Sequence, residues 1–198
     1  MSNNTNEVIT VFHNDDICYQ TRTITMFGEV NDTMMEKALK NLHFLNRSIG
    51  TITIYLTSCG GDLNAGKAIY DAIKYSKNVI RIVCFGEVAS CGVLILMAGD
   101  ERIMTPNSRL MLHAGEESVP FSHPRNVDAL VKNHRDDEKF TEGVYLERIH
   151  EKNRRDKKKL MTNKEIKELL VFDRYISPEE SLKMGLITGI GYRMGDGL

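Results

Sequence analysis

The sequence predicts an α/β domain built on a largely parallel sheet, and three observations carry that reading. Segments rich in β-branched residues alternate with helical segments at the pitch of βαβ units. Small residues and glycines (Ser58-Cys59-Gly60-Gly61-Asp62, and Gly86 through Gly92) stand where these strands run into helices. The chain has 198 residues, 41% hydrophobic and 27% charged, enough for one compact domain with a real core.

Taken in order, residues 23–27 read as a strand. Residues 32–47 carry Met34, Met35, Ala38, Leu42 and Leu45 at helical spacing, with Asn31 or Asp32 as the cap and Gly50 ending the unit. Thr51-Ile52-Thr53-Ile54-Tyr55-Leu56 is a strand. After the glycine turn, Ala65, Ala68, Ile69, Ala72 and Ile73 line one face of a helix over about 64–76. A strand over 79–85 leads to Ser90 and the apolar run Val93-Leu94-Ile95-Leu96-Met97-Ala98, read as a buried helix. Short strands are expected at 101–104 and 109–112. Residues 116–125, with Pro120 and Pro124, break the pattern. A polar helical region over roughly 124–152 then leaves the core to pack on a neighbour or on itself, ahead of the basic run Arg154-Arg155-Asp156-Lys157-Lys158-Lys159, read as a solvated end. A helix follows at about 162–170. Ser177-Pro178-Glu179-Glu180 starts another that ends at Gly185, and Leu186-Ile187 begins a last strand.

Composition excludes several function classes. A net charge of −1 gives no field suited to nucleic acid or an anionic membrane. No apolar run approaches the ~20 residues of a membrane helix. The polar start Met1-Ser2-Asn3-Asn4-Thr5-Asn6 reads as a short tail without a signal peptide. Cys18, Cys59, Cys84 and Cys91 show no paired spacing, which predicts reduced thiols and a cytoplasmic protein. The six histidines form no metal-ligand cluster, so no metal and no resident cofactor are expected.

The chemistry-bearing residues converge on one scheme. Ser90 stands at the start of a buried helix, where unpaired N–H groups and the helix dipole favour developing negative charge. His113 ends a short apolar strand from which it can reach a neighbouring strand–helix turn. Asp173 lies between two helical segments. Together they supply a nucleophile, a base and an orienting acid in the chain order Ser, His, Asp. Val88 occupies the position two before Ser90, so the GxSxG elbow of lipases and esterases is absent. Gly60-Gly61 lets backbone approach a substrate closely, and the N–H groups of Gly61 and Cys91 can form an oxyanion hole.

These residues lie in four blocks that resemble, in order, those of the ClpP family of self-compartmentalising serine peptidases. Tyr55 to Gly61 through Ala65 to Asp71 is similar to "NSPGG…AG…IYD", and Val88 to Gly92 to "AASMG". Pro106 to Arg109 with Met111-Leu112-His113 is similar to "PNSR…MIH", and Asp173 to Ser177 with Glu179-Glu180 and Gly185-Leu186-Ile187 to "DRFLS…EA…GLID". The resemblance implies a ClpP/crotonase-like fold of repeated ββα units with a protruding long-helix handle at about 116–160. It divides the chain into a flexible segment, 1–18, and a peptidase domain, 19–198. It implies Ser90, His113 and Asp173 as the triad, Gly61 and Cys91 as oxyanion donors, and polypeptide substrates. It further implies a homo-oligomeric ring, typically heptameric and stacked in pairs, and ATP only through an AAA+ unfoldase partner. The chain departs from the family at Cys59 (a proline there), Cys91 (a methionine) and Val171-Phe172 (an Asp-Arg pair). Two alternative functions remain: a catalytically silent ring subunit or scaffold, and a crotonase-type acyl-CoA enzyme sharing the fold and its oxyanion hole.

Overall fold

The computed structural model describes residues 15–113 and 124–193, except for the side chains of 124–126. An eight-stranded sheet organises them. Its strands are β1 (Ile17–Cys18), β2 (Thr23–Val30), β3 (Ile52–Gly61), β4 (Ile80–Ala89), β5 (Glu101–Met104), β6 (Arg109–Leu112), β7 (Arg174–Ile176) and β8 (Gly189–Ile190). The helices are α1 (Asp32–Leu45), α2 (Leu63–Lys74), α3 (Cys91–Ala98), α4 (Pro124–Arg155), α5 (Asn163–Leu170) and α6 (Pro178–Met184). The main path runs β1-β2-β3-β4-β5-β8, parallel except for β1 on β2. Ile17 is 1% exposed in β1, so the sheet begins inside the segment expected to be flexible; residues 1–14 lie outside the described residues.

Period-two burial fixes the sheet's covered face. Ile52, Ile54, Leu56 and Ser58 of β3 are buried, whereas Tyr55, Thr57 and Cys59 are less so. Helices α1, α2 and α3 pack against the sheet. Every residue of α3 is buried, as expected of a helix apolar on all sides. Asn31 caps α1 by accepting from the Met34 N–H, Asp62 caps α2 through Ala65, and Ser177 caps α6. Gly185 closes α6 in the left-handed region at φ 92°.

Several elements differ from their sequence reading. β3 and β4 run on through their glycines: Gly60, Gly61 and Gly86 have φ of 91°, 146° and 61°, and bulges replace the expected turns. α1 ends at Leu45, before Gly50, because the next N–H groups turn to i−3 carbonyls, Arg47 donating to Phe44 at 3.1 Å and Ser48 to Leu45 at 3.4 Å. The last strand forms at Gly189–Ile190, since Leu186 donates its N–H to the Ser181 carbonyl in the α6 cap. β7 was not expected as a strand. The long helix leaves the core less than its polarity suggests. Val144, Tyr145, Leu146 and Ile149 are buried, and Lys67 on α2 pairs with Asp137. Residues 116–123 lie outside the described residues.

Candidate active site

β4 is long enough to serve two neighbours. Its first half, Arg81 to Cys84, pairs with β5; beyond the bend at Gly86, Glu87 to Ala89 pairs with β6. Both pairings are parallel, so β4 and β6 end side by side, with Ala89 opposite Met111. β7 then runs antiparallel to β6, with Arg174 opposite Leu112. The three predicted residues flank these pairs. Ser90 follows Ala89, His113 follows Leu112, and Asp173 precedes Arg174. A sheet register thus gathers side chains from positions 90, 113 and 173.

Ser90 has φ 53° and ψ −129°, a strained conformation for a residue with a side chain. It precedes α3 but makes no side-chain cap bond. Its N–H donates to the Met111 carbonyl at 2.9 Å, its carbonyl accepts from the Val93 N–H at 2.9 Å, and its Oγ lies 2.6 Å from His113 Nε2. The backbone strain and the absent cap therefore direct the hydroxyl to the imidazole. His113 Nδ1 lies 3.8 Å from Asp173 Oδ1, too long for a hydrogen bond, and Asp173 is 58% exposed on its side chain. Arg174 turns away from Asp173 and donates to Glu180 at 2.6 Å.

The two glycines have separate tasks. A Cβ on Gly60 would stand 2.6 Å from Ser90 Cβ, so only glycine lets β3 lie against the serine. A Cβ on Gly61 would stand 2.3 Å from the Val30 carbonyl oxygen, where β2 closes in. The oxyanion role expected of Gly61 leaves out the contact of Gly60, for which the adjacent glycine in the same pair was the available signal. The Gly60 N–H is engaged by Ser58 Oγ at 3.1 Å. Cys91 is 6% exposed, its Sγ lies 3.8 Å from the Asp62 carbonyl oxygen, and burial pushes its thiol up to about 11. Cys59 is exposed, and all four cysteines are free thiols. Among the described residues no group of three or more His, Cys, Asp or Glu side chains could hold a metal ion. Among them, too, no helix is long and apolar enough to cross a membrane.

Comparison with known proteins bears on the family and the fold. The family model described as Clp protease matches residues 6–194. The ATP-dependent Clp protease proteolytic subunit of Deinococcus radiodurans is 33% identical over 141 residues, which are 70% of this chain and 64% of that protein. The chain therefore matches less than two thirds of that relative's length. A mutant of ClpP1 from Listeria monocytogenes superposes with a TM-score of 0.76 at 26% identity, over 89% of this chain and 94% of that one. The fold is that of ClpP, and the chain belongs to the Clp protease family.

Proposed function

We propose that this chain is a serine peptidase in which Ser90 is the nucleophile, His113 the base and Asp173 the acid that orients it. The observation that carries the reading is the 2.6 Å contact between Ser90 Oγ and His113 Nε2, made by a serine held at positive φ without a capping role. Ser90 Oγ attacks the substrate carbonyl carbon, and its proton passes to Nε2. The N–H groups of Gly61 and Cys91 receive the oxyanion; each such donor contributes on the order of 3 kcal/mol to lowering the barrier. The C–N bond breaks as Nε2 returns the proton to the leaving amine. Water, activated by the same imidazole, then cleaves the acyl ester and frees Ser90.

The substrates are unfolded polypeptides or short peptides, cut inside a ring-shaped homo-oligomeric chamber of one or two heptamers in the cytoplasm. An AAA+ unfoldase partner carries any ATP requirement, and the enzyme needs no cofactor of its own. The Deinococcus relative supports the partnership in being a proteolytic subunit of an ATP-dependent protease. The division into an N-terminal segment, a peptidase domain and a handle belongs to the same proposal.

The 3.8 Å separation of His113 and Asp173 favours a second reading, a ring subunit held catalytically silent. The test is hydrolysis of a fluorogenic peptide by wild type and Ser90→Ala across size-exclusion fractions. Activity confined to a ring-sized wild-type species, and lost by at least about a thousandfold in Ser90→Ala, supports the peptidase. A ring-sized species without activity supports the silent subunit. Acyl-CoA turnover retained in Ser90→Ala would point to the crotonase-type alternative.

A further inference from the structure

At the end of α3 opposite Ser90, a cavity of about 270 Å³ is lined by four cations, Arg102, Arg148, Lys152 and Arg155, and two carboxylates, Asp100 and Glu151. Both carboxylates are already engaged. Asp100 Oδ2 accepts the Ile80 N–H at 2.8 Å, and Glu151 accepts Arg148 Nη1 at 3.1 and 3.0 Å through its two oxygens. Lys152 pairs with Asp156 outside the cavity lining at 3.0 Å. Arg155 is exposed and has no ion pair among the described residues.

The two arginines are deeply placed. Arg148 is 8% exposed and spends its remaining N–H groups on the Met97 and Gly99 carbonyls. Arg102 is 5% exposed and donates to the carbonyls of Leu186 at 2.9 Å, Gly99 at 3.0 Å and Gly185 at 3.3 Å. Three of the guanidinium's five N–H groups are thereby used, and among the described residues no carboxylate pairs with it. Burial, and next the Arg148 charge, push Arg102 down to about 10. Carbonyl dipoles satisfy its hydrogen bonds without cancelling its charge, and a buried cation without a counter-ion is costly.

Tying the C-terminal carbonyls of α3 and α6 explains why arginines stand here. It does not explain two further cations at the mouth of an open cavity, nor an excess of positive charge beside a guanidinium that lacks an anion. We propose that this cavity is a binding site for a phosphate-bearing anion, with Arg102, which keeps two N–H groups unused, as its floor, Lys152 and Arg155 as its rim, and Arg148 adding charge alone. Guanidinium groups match phosphate geometry, and charge-assisted bonds to them are the strong ones. The ligand is an inorganic diphosphate or the terminal phosphates of a nucleotide. The site stands apart from the peptidase reading and does not depend on it, since α3 separates the two by about 12 Å.

The experiment titrates the full chain with sodium pyrophosphate in a calorimeter at fixed ionic strength. Arg155→Gln is compared with Arg154→Gln, a neighbour in the same basic run that does not line the cavity. Both substitutions are at exposed positions and leave the unliganded melting temperature unchanged. Saturable binding in wild type and in Arg154→Gln, weakened about tenfold in Arg155→Gln, supports the site. Absence of saturable binding in wild type overturns it, as does equal weakening by the two substitutions, which would show diffuse attraction to the basic run. An ADP arm separates the two sources: tighter binding than pyrophosphate assigns a nucleotide, and equal or weaker binding assigns the inorganic anion.

Discussion

Ser90 connects a strained backbone to a reactive hydroxyl, and Gly60 makes that possible by leaving space beside it. Gly60→Ala would put a methyl group 2.6 Å from Ser90 Cβ at a φ of 91°. It is expected to destabilise the fold by about 1–3 kcal/mol and to lower peptide hydrolysis further than that loss explains, measured as kcat on the folded fraction. Asp173→Asn tests the loose third member. At 3.8 Å and half-exposed, the carboxylate holds His113 weakly in this conformation. The substitution is therefore expected to cost less than the about 10⁴-fold typical of a fully engaged triad acid. A loss as large as that of Ser90→Ala would show that the pair tightens in the working enzyme. The cysteines give a pH-dependent prediction. With its thiol pushed up to about 11, Cys91 carries about one thiolate per thousand molecules at pH 8, and that fraction rises tenfold per pH unit. Iodoacetamide mass mapping at pH 8 should modify exposed Cys59 well before Cys91, and the Cys91 rate should climb as pH approaches 11.

Among the elements, α3 carries the site at one end and is anchored by Arg148 at the other. Arg148→Met removes both bonds to the Met97 carbonyl and the longer of two bonds to the Gly99 carbonyl, which keeps its bond from Arg102. It is expected to lower stability by roughly 2–4 kcal/mol, read from the urea midpoint. How much of each element was legible follows from what held it in place. β5 and β6 form at 101–104 and 109–112 as the sequence reading has them, because turn residues bound their apolar alternation. α3 was legible because six apolar residues in a row, Val93 to Ala98, leave a core helix few alternatives. The glycine-bearing ends of β3 and β4 were not. Glycine signals a turn locally, and only the neighbouring strands reveal a bulge. β7 spans three residues and exists through its pairing with β6, a contact between positions more than sixty apart. The Thr162–Glu165 capping box was present in the sequence and would have placed the start of α5 at Asn163.

For the whole molecule, the candidate site was legible in part: the structure brings Ser90 to His113 but leaves Asp173 at 3.8 Å. Ser90, His113 and Asp173 each adjoin the end of a strand; β6 forms at its expected bounds, whereas the part of β4 that reaches Ser90, Glu87–Ala89, lies beyond the expected strand 79–85. The third was placed only by its position between two helical segments, since β7 was unseen. Arg102 and Arg148 left no sequence signal, because burial of a charged residue is decided by helices that meet only in the folded chain. The isolated chain also leaves large apolar side chains exposed beside the site: Val171 at 61%, Phe172 at 81% and Tyr175 at 55%. Such a surface suits contact with another copy, in keeping with the proposed ring. Phe172→Asp is accordingly expected to shift the size-exclusion profile towards smaller species without lowering the helix content read by circular dichroism.

The central claim is that Ser90 is a working nucleophile. Intact-mass analysis after treatment with a fluorophosphonate, wild type beside Ser90→Ala and His113→Ala, tests it most directly. One phosphonyl adduct per wild-type chain, mapped to the peptide containing Ser90 and absent from both variants, is the predicted result. A wild-type chain that takes up no adduct, or a Ser90→Ala chain that takes up as much, would contradict it.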